Sequence, residues 1–332
     1  MSNEYLLEVN QLKTYFNNGH GLGKNKKALK AVDGISFKLK HGETLGIVGE
    51  SGCGKSTAGN TIIRLLEPTE GEIIFEGRDI AKLSDKELRP LRKDIQMIFQ
   101  DPVSSLNPRM RVKNIIAEPL VTHKICKKAE LEEEVFRLMD VVGLPREYAD
   151  RYPHEFSGGQ RQRIGIARAL ALKPKLIICD EPVSALDVSI QAQILNLLAK
   201  LQKDFGLAYI FIAHGLPTVK HISNRVAVMY LGKIVEMATK EQIFSSPMHP
   251  YSVGLMSAVP IPDPIYRNDD DKALLEGDMP SPTNLPEGCR FHPRCKFCRE
   301  LCKSEAPELR DMGEGHMVAC HFPLENAEGL FK

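Results

Sequence analysis

The sequence has no long apolar run and almost no net charge. Its 332 residues include 44 Lys and Arg against 43 Asp and Glu, so the formal charge is +1. This balance leaves no basic footprint of the kind that binds nucleic acid. No stretch approaches the ~18 uninterrupted apolar residues of a membrane span, and residues 1–5 lack the basic and apolar regions of a secretory leader. We therefore expect a cytosolic chain, unless a partner holds it at a membrane.

The eight cysteines are unevenly placed along the chain. Five of them follow residue 288, after a proline-rich and acidic stretch at residues 260–286 that predicts a linker or an extended wrap. In a cytosolic protein, cysteines indicate metal binding or reactivity rather than disulfides. The composition predicts one large domain followed by a separate cysteine module. The basic residues 24–27 are interpreted as a solvated loop, with a contact to a membrane surface as the alternative.

The most specific motif, G-x-x-x-x-G-K-S, directly follows the apolar residues 44–48. It comprises Gly49, Glu50, Ser51, Gly52, Cys53, Gly54, Lys55 and Ser56, with Thr57 next to it. A strand that enters such a loop and then a helix cradles phosphate groups, because backbone N–H groups turn inward, the lysine reaches the outer phosphates and the hydroxyl binds Mg²⁺. The motif predicts a nucleotide site. The alternative is a glycine-rich turn without a ligand.

Two further motifs lie in the second half of the chain. Residues 175–181 form an apolar strand that ends in Asp180 and Glu181. The first carboxylate can lie beside Mg²⁺ and the second can polarise an attacking water, although a solvated acidic pair is the alternative. At residues 156–163, a serine and two glycines open a helix and create a second anion-binding terminus. Two chains that face head to tail can bring both helix ends to one γ-phosphate.

Hydrophobic periodicity predicts an antiparallel layer followed by strands that alternate with helices. This alternation favours a parallel sheet with crossovers. The predicted strands are residues 5–16, 30–39, 71–77, 95–99, 176–179 and 209–212, with a hairpin at 225–237. The predicted helices are residues 55–66, 157–172 and 189–205, with a helical stretch at 112–142 that Pro119 breaks.

Together these motifs resemble the nucleotide-binding subunits of ABC transporters. The resemblance rests on residues 49–57, 156–163, 176–182 and 184–187, on Gln100 and on His214. Residues 100–109, 249–251 and 288–295 are similar to the oligopeptide/dipeptide importer branch of that family. The chain has a glutamine, Gln160, directly after the two glycines. In this respect it resembles one of the two sister ATPase subunits of that branch, since the other usually has a different residue there.

The resemblance implies a fold and an activity. The fold is a P-loop, RecA-like α/β ATPase core with an antiparallel β layer, a helical subdomain near residues 102–165 and a C-terminal cysteine-rich extension. The nucleotide-binding domain is expected at residues 5–260 and the extension at residues 261–332. The implied activity is ATP hydrolysis that powers uptake of oligopeptides or dipeptides across the cytoplasmic membrane.

The resemblance also implies a role for each site residue. The phosphate loop holds ATP, and Mg²⁺ is bound through Ser56, Gln100 and Asp180. Gln100 additionally senses the attacking water, Glu181 is the general base, and His214 is the γ-phosphate switch. The residues implied to act in trans on the ATP of a partner subunit are Ser157, Gly158, Gly159, Gln160 and Asp187.

One aromatic side chain of the first strand should stack on adenine. Because side chains alternate along a strand, only one of Tyr15 and Phe16 can face the ligand. We favour Phe16. The alternative is that one of the two is a core side chain and the other an edge side chain.

The implied partners are a sister ATPase subunit that completes a heterodimer, two transmembrane permease subunits, and an extracellular or periplasmic peptide-binding protein. No nucleic acid is expected. The helical insert near Gln100 would form a groove for a short cytoplasmic helix of the permease. The chain would then be peripheral, on the cytoplasmic face of the membrane.

The cargo and the function class leave further interpretations open. The cargo could instead be nickel, a sugar or a pheromone. Outside transport, the motifs also suit a soluble ABC ATPase acting on nucleic acid or ribosomes, and a redox protein that ATP regulates.

Two positions depart from the family pattern. Gly215 follows the switch histidine where the family usually has Asp, which puts the tuning of the switch in doubt. Cys298 stands where the family typically has a small residue.

Four tail cysteines match the family, namely Cys289, Cys295, Cys302 and Cys320. The resemblance implies that they hold an iron–sulfur cluster of the [4Fe–4S] type. Four thiolates also suit structural zinc, and Cys295 with Cys298 forms a C-x-x-C pair that would serve it. Zinc and inert thiols therefore remain the alternatives. Either centre is expected to be structural, with little effect on ATP hydrolysis.

Overall fold

The computed structural model describes residues 4–16, 28–257 and 277–324. The basic residues 24–27 and residues 260–276 of the predicted linker lie outside the described residues. The strands are β1 (Tyr5–Phe16), β2 (Leu29–Lys40), β3 (Thr44–Val48), β4 (Glu70–Phe75), β5 (Arg78–Asp79), β6 (Ile95–Ile98), β7 (Leu176–Asp180), β8 (Ala208–Ile212), β9 (Arg225–Tyr230), β10 (Lys233–Thr239), β11 (Arg310–Asp311) and β12 (Met317–Val318).

The α-helices alternate with the strands through the middle of the chain. They are α1 (Lys55–Ile62), α2 (Asp85–Leu88), α3 (Val112–Thr122), α4 (Leu131–Val141), α5 (Gly158–Leu170), α6 (Val188–Phe205), α7 (Leu216–Ile222), α8 (Lys240–Ser245), α9 (Pro250–Ser257) and α10 (Glu300–Ser304). The chain divides into two compact units. Among the described residues, the helical unit comprises 4–6, 39–44 and 82–213, and the phosphate-loop unit comprises 7–16, 28–38, 45–81, 214–257 and 277–324.

The helical unit contains a parallel arrangement of β6, β7 and β8. Ile95 pairs with Leu176, and Leu176 pairs with Ala208. The crossover from β6 to β7 contains α3, α4 and α5, whose buried faces include Ile116, Leu138 and Ile164. Buried apolar faces at helical spacing explain why these segments pack as helices. The predicted parallel sheet and its crossovers are confirmed.

The phosphate-loop unit contains two sets of strands. One is a sheet in the order β2-β1-β4-β5, in which β1 and β4 are antiparallel. In the other, β3 pairs in parallel with β9, β9 and β10 form an antiparallel hairpin, and β12 and β11 follow at the edge. The predicted antiparallel layer and hairpin are confirmed. The short edge strands β11 and β12 were not predicted, because two-residue strands carry no periodicity.

Two helix predictions were wrong in their boundaries. Pro119 lies inside α3 and does not break it, since α3 continues to Thr122 and the interruption falls between α3 and α4. The buried Ile115, Ile116 and Leu120 hold the helix in place around the missing proline donor. The helix after the phosphate loop ends at Ile62 rather than residue 66, because Arg64 adopts a left-handed backbone (φ 60°) and the Leu65 N–H turns back to the Asn60 carbonyl.

Candidate active site

The phosphate loop follows β3, a strand in which every residue is buried. Gly49, Gly52 and Gly54 all have positive φ. At Gly54, a Cβ atom would lie well inside contact distance of the Ala31 carbonyl oxygen, and at Gly49 it would collide with the Met229 carbonyl oxygen. Only glycine satisfies the backbone angle and the close approach together. The motif therefore has the tight conformation that a phosphate cradle requires.

Lys55 is the first residue of α1, and its side chain extends back into the loop. Its side chain is buried, and its Nζ donates to the carbonyl oxygens of Gly49 (2.8 Å) and Glu50 (3.0 Å). The Cys53 thiol is buried beside it, and burial raises the pKa of that thiol, which keeps it neutral. Ser56 and Thr57 are half-buried on the first turn of α1, whereas Ser51 and Gly52 are exposed. The loop thus presents a buried cation and a hydroxyl together at a helix N-terminus, as an anion site does.

Glu50 makes contacts that sequence reasoning missed. Its carboxylate accepts two hydrogen bonds from the Arg294 guanidinium, at 2.8 and 3.1 Å. Its backbone N–H donates to the Tyr251 hydroxyl at 2.9 Å. Residues 249–251 and 288–295 did carry a family resemblance, but nothing in their spacing connects them to residue 50.

Tyr15 and Phe16 lie on opposite sides of β1, as alternation predicts. The Tyr15 hydroxyl donates to the Asp33 carboxylate, and the Lys30 Nζ lies 5.4 Å from the centre of the Tyr15 ring. Burial and the Asp33 contact raise the pKa of Tyr15, so its hydroxyl remains a donor. Phe16 is 37% exposed. The phenol of Tyr15 is therefore engaged within the protein, whereas the ring of Phe16 faces outward.

Gln100 and Glu181 meet in the helical unit. The Gln100 Nε2 donates to the Glu181 Oε2 at 2.7 Å. Gln100 follows β6 by two residues and Glu181 follows β7 by one, and these strands are parallel neighbours. Side chains that follow neighbouring parallel strands reach the same sheet edge, where ligands bind in open α/β sheets. The sequence prediction that these two side chains serve one site is consistent with this contact.

Glu181 has an unusual backbone for a residue with a side chain. Its φ is 46°, and its N–H donates to the Ile212 carbonyl at 3.0 Å. Only 5% of Glu181 and 6% of Asp180 is exposed. Strained backbone angles persist where the surrounding structure enforces them, and they concentrate at functional sites. The carboxylates at the end of β7 are thus held in fixed positions.

His214 follows β8 by two residues and is exposed. The next residue, Gly215, is the N-cap of α7 and has an extended backbone (φ −84°, ψ 117°) without a side-chain cap. Aspartate is among the preferred N-cap residues because its carboxylate accepts from the first free N–H groups of the helix. With glycine at position 215 instead of the usual aspartate, the N-terminus of α7 has neither a side-chain cap nor a negative charge at the N-cap.

The turn before α5 is also built as predicted. The Ser157 Oγ accepts from the Gln160 N–H, and the Gln160 Oε1 accepts from the Ser157 N–H, which forms a capping box. Ser157 and Gly158 are exposed, while a Cβ atom at Gly159 would collide with Ile190. Asp187, the N-cap of α6, is exposed too. The N-terminus of α5 and the start of α6 therefore share one exposed surface of the helical unit.

The four predicted tail cysteines line one cavity. Cys289, Cys295, Cys302 and Cys320 surround it together with His249, Phe291 and other residues, whereas Cys298 is not among the lining residues. Burial raises the pKa of Cys295 to about 12 and that of Cys320 to about 11. The Cys289 N–H donates to the Cys302 carbonyl at 2.8 Å, which holds two of the cysteine segments together.

Within residues 4–16, 28–257 and 277–324, no group of three or more His, Cys, Asp and Glu side chains is arranged to hold a metal ion. The predictions of iron–sulfur and zinc binding are therefore not supported by a preformed metal site. In the same described residues, no helix is long and apolar enough to cross a membrane.

Two protein-family models match this chain. The family model described as ABC transporter matches residues 32–184, and that described as oligopeptide/dipeptide transporter, C-terminal region, matches residues 235–302. The oligopeptide transport ATP-binding protein AppF of Bacillus subtilis is 55% identical over 320 residues, 96% of this chain and 97% of that protein. The oligopeptide transport ATP-binding protein OppF of Escherichia coli is 54% identical over 319 residues, 95% of each.

The chain belongs to the ABC transporter family. Within the family, it belongs to the ATP-binding subunits of oligopeptide and dipeptide importers. A dimeric post-hydrolysis structure of the ATP-binding cassette MJ0796, bound to ADP and phosphate, has 28% sequence identity and a TM-score of 0.63, covering 70% of this chain and 98% of that one. The predicted ABC nucleotide-binding fold is confirmed. The separate cysteine-rich extension is not supported, since the second family match runs across residue 261.

Proposed function

We propose that this chain hydrolyses ATP to power the uptake of oligopeptides or dipeptides through a membrane complex. The names of the relatives at 54–55% identity support the cargo. The observation that carries the enzymatic role is the 2.7 Å contact between Gln100 and the buried Glu181 at the ends of neighbouring parallel strands. A glycine loop with a buried lysine supplies the phosphate site that such a pair needs.

Residues 49–57 hold the phosphates of ATP in this proposal. Backbone N–H groups of the loop and the Lys55 ammonium neutralise phosphate charge, and the ammonium exchanges its loop carbonyl partners for phosphate oxygens. The residues that would hold Mg²⁺ are Ser56, Gln100 and Asp180, whose hydroxyl, amide and carboxylate oxygens are the donors that this ion prefers. Phe16, exposed at the end of β1, stacks on adenine.

Glu181 is the general base. It accepts a proton from the water that attacks the γ-phosphoryl group in line with the leaving oxygen. Gln100 fixes the orientation of the Glu181 carboxylate through their hydrogen bond and can turn its own amide toward the same water. His214 contacts the γ-phosphate from the loop after β8. Product release then reopens the site.

A second ATPase subunit completes the site. Ser157, Gly158, Gly159 and Gln160 with Asp187 face the ATP of that partner in this proposal. It is supported by the exposure of Ser157 and Gly158 at the N-terminus of α5 and of the Asp187 carboxylate at the start of α6. The dimeric state of the solved relative supports this arrangement. Two such sites form between this chain and a sister subunit, with the polar contacts supplied in trans.

The remaining partners are two permease subunits and a peptide-binding protein. The helical unit exposes apolar side chains that a helix of the permease can cover: Phe99, Val103, Val121 and Ile125. The chain is then held at the cytoplasmic face of the membrane through the permease. The nucleotide-binding domain occupies residues 5–260, with the helical subdomain near residues 102–165.

In this proposal, residues 261–332 are the C-terminal extension, and its Cys289, Cys295, Cys302 and Cys320 are the residues that would hold an iron–sulfur cluster. The fit is one of donor chemistry: four thiols line a single cavity of about 340 Å³ of empty space, part of it open to solvent. When bound, it would deprotonate these thiols and join their segments as a metal staple.

Reconstitution tests the proposal. The chain should be purified with its sister ATPase and permease subunits in vesicles that contain ATP, and the peptide-binding protein should be added outside with candidate cargo. We expect a di- or oligopeptide to stimulate ATP hydrolysis and to accumulate inside. Stimulation by nickel or a sugar alone would contradict the peptide assignment. Stimulation of the isolated chain by RNA or ribosomes, without the permease, would contradict transport itself.

A further inference from the structure

The cysteine segment, defined here as residues 288–302, reaches the phosphate loop through Arg294. Its guanidinium donates two hydrogen bonds to the Glu50 carboxylate, and only 7% of the Arg294 side chain is exposed. The guanidinium also lies 5.9 Å from the centre of the Tyr230 ring. A fork-shaped contact of this kind fixes orientation as well as distance. One residue of the loop is thereby tied to a residue 244 positions later.

An aromatic cluster reinforces this connection. Phe291 packs against Tyr230 and Tyr251, with ring centres 5.3 and 5.4 Å apart, and all three side chains are buried. Tyr251 accepts the Glu50 N–H through its hydroxyl. The Glu50 carboxylate is therefore held by a residue of the cysteine segment, and the Glu50 backbone by a residue that packs on that segment.

Arg290 extends the same segment to β1 and β2. Its guanidinium donates to the Asp33 carboxylate and to the Leu231 carbonyl. The other Asp33 oxygen accepts the Tyr15 hydroxyl. Burial acts to raise the pKa of Asp33, but the Tyr15 hydroxyl and Arg290 outweigh it and the carboxylate stays charged. The strand that ends at the predicted adenine contact is thus fastened to the cysteine segment.

We propose that Arg294 and Arg290 are positioning residues for ATP, which hold the phosphate loop and the end of β1 in their nucleotide-binding geometry. This proposal rests on the assignment of residues 49–57 as the phosphate site. Arg294 also neutralises a carboxylate within the loop. Without it, the phosphate loop would carry an uncompensated negative charge, which opposes the binding of an anionic ligand.

Nucleotide titration of the full-length chain tests the proposal. Arg294→Ala should raise the Kd for a fluorescent ATP analogue about tenfold, because the loop loses the two charge-assisted hydrogen bonds that orient the Glu50 carboxylate. In the complex, KM for ATP should rise while kcat changes little. Arg290→Ala should act in the same direction. Arg294→Lys should recover part of the affinity. The matched control is Lys303→Ala, which removes a nearby cation whose partner Glu300 is exposed.

A second substitution separates positioning from simple loss of structure. Adding Glu50→Gln to Arg294→Ala should lower the Kd again, because the uncompensated carboxylate is gone; a Kd that stays high would contradict the charge argument. Lys55→Ala serves as the reference for the phosphate site itself. If Lys55→Ala abolishes binding while Arg294→Ala and Arg290→Ala bind ATP as Lys303→Ala does, the inference is overturned and the proposed function survives. If Lys55→Ala leaves binding intact, the phosphate-site assignment fails instead.

Thermal melting in the absence of nucleotide accompanies each titration. If Arg294→Ala fails to fold, Arg294→Lys carries the test, because it keeps the charge and loses the two-pronged contact. A Kd for Arg294→Lys several times that of Lys303→Ala supports the positioning role. A Kd equal to that of Lys303→Ala contradicts it.

Discussion

The residues proposed to act on ATP are held in position in different ways in the two units. In the helical unit, Gln100 and Glu181 meet because each follows one of two neighbouring parallel strands. In the phosphate-loop unit, the loop is shaped by its own glycines but is held from outside by Tyr251 and Arg294. The first contact is explained by strand order. The loop packs Lys55 and Cys53 internally, but the carboxylate and the backbone N–H of Glu50 are held by the C-terminal part of the chain.

The largest effect on ATP hydrolysis is expected from a substitution in the helical unit. Glu181→Gln should lower kcat for ATP hydrolysis by about 10²–10⁴ in the assembled complex, because it removes the general base. ATP binding should persist, since the phosphate loop lies in the other unit. Steady-state hydrolysis and nucleotide titration measure the two properties separately.

Glu132→Gln, an exposed change on α4, is the control for Glu181→Gln. Hydrolysis at the rate of this control would remove Glu181 from the role of base. Loss of ATP binding in Glu181→Gln would contradict the division of labour between the two units.

The next effect concerns the loop itself. Gly54→Ala combines a left-handed backbone (φ 107°) with a collision against the Ala31 carbonyl, so we expect a loss of more than about 2 kcal/mol in stability and at least a tenfold rise in the Kd for ATP. Gly42→Ala is the matched control. Gly42 also has positive φ (69°), but a Cβ there meets nothing within 4 Å. It should cost about 1 kcal/mol and leave ATP binding unchanged. Equal Kd values for the two variants would refute the role of close packing at Gly54.

The same difference explains what the sequence could predict. The loop, the strand that precedes it, Asp180 with Glu181, and the turn at Ser157 were readable because each motif lies within a few consecutive residues and fits the local period. The family resemblance implied that Gln100 and Glu181 serve one site, and the parallel pairing of β6 with β7 explains why they meet. Arg294 on Glu50 could not be predicted, because a contact across 244 residues depends on packing that no local pattern encodes. Pro119 misled for the opposite reason: its local preference is clear, but burial of the surrounding helix overrides it.

A smaller effect is expected from the cysteine segment. If the four lining cysteines hold an iron–sulfur cluster, Cys295→Ala should remove iron and the broad absorption near 400 nm, whereas Cys298→Ala should leave both near normal, since Cys298 does not line the cavity. Because Phe291 and Arg294 lie between Cys289 and Cys295, loss of the cluster should also raise the Kd for ATP a few-fold. This differs from the expectation, drawn from sequence alone, that the tail leaves ATP handling almost unaffected.

Anaerobic purification followed by elemental analysis and nucleotide titration measures both properties. Zinc without iron in the wild-type chain would reject the cluster. Iron loss in Cys298→Ala alone would reject the choice of ligands. An unchanged Kd in a folded, iron-free Cys295→Ala would show that the two arginines keep the loop in place without help from the cysteines.

The smallest effect is expected at Gly215, where a helix begins without a side-chain cap. Gly215→Asp should raise the stability of the chain by a few tenths of a kcal/mol, because the extended backbone already suits an N-cap and the carboxylate can accept from the first turn of α7. The thermal midpoint should rise by about 1 °C, and Gly215→Ala should not raise it. Since His214 is the adjacent residue, the hydrolysis rate of Gly215→Asp in the complex shows whether the missing carboxylate also tunes the switch. A changed rate with an unchanged midpoint would place the role of this position in catalysis rather than in capping.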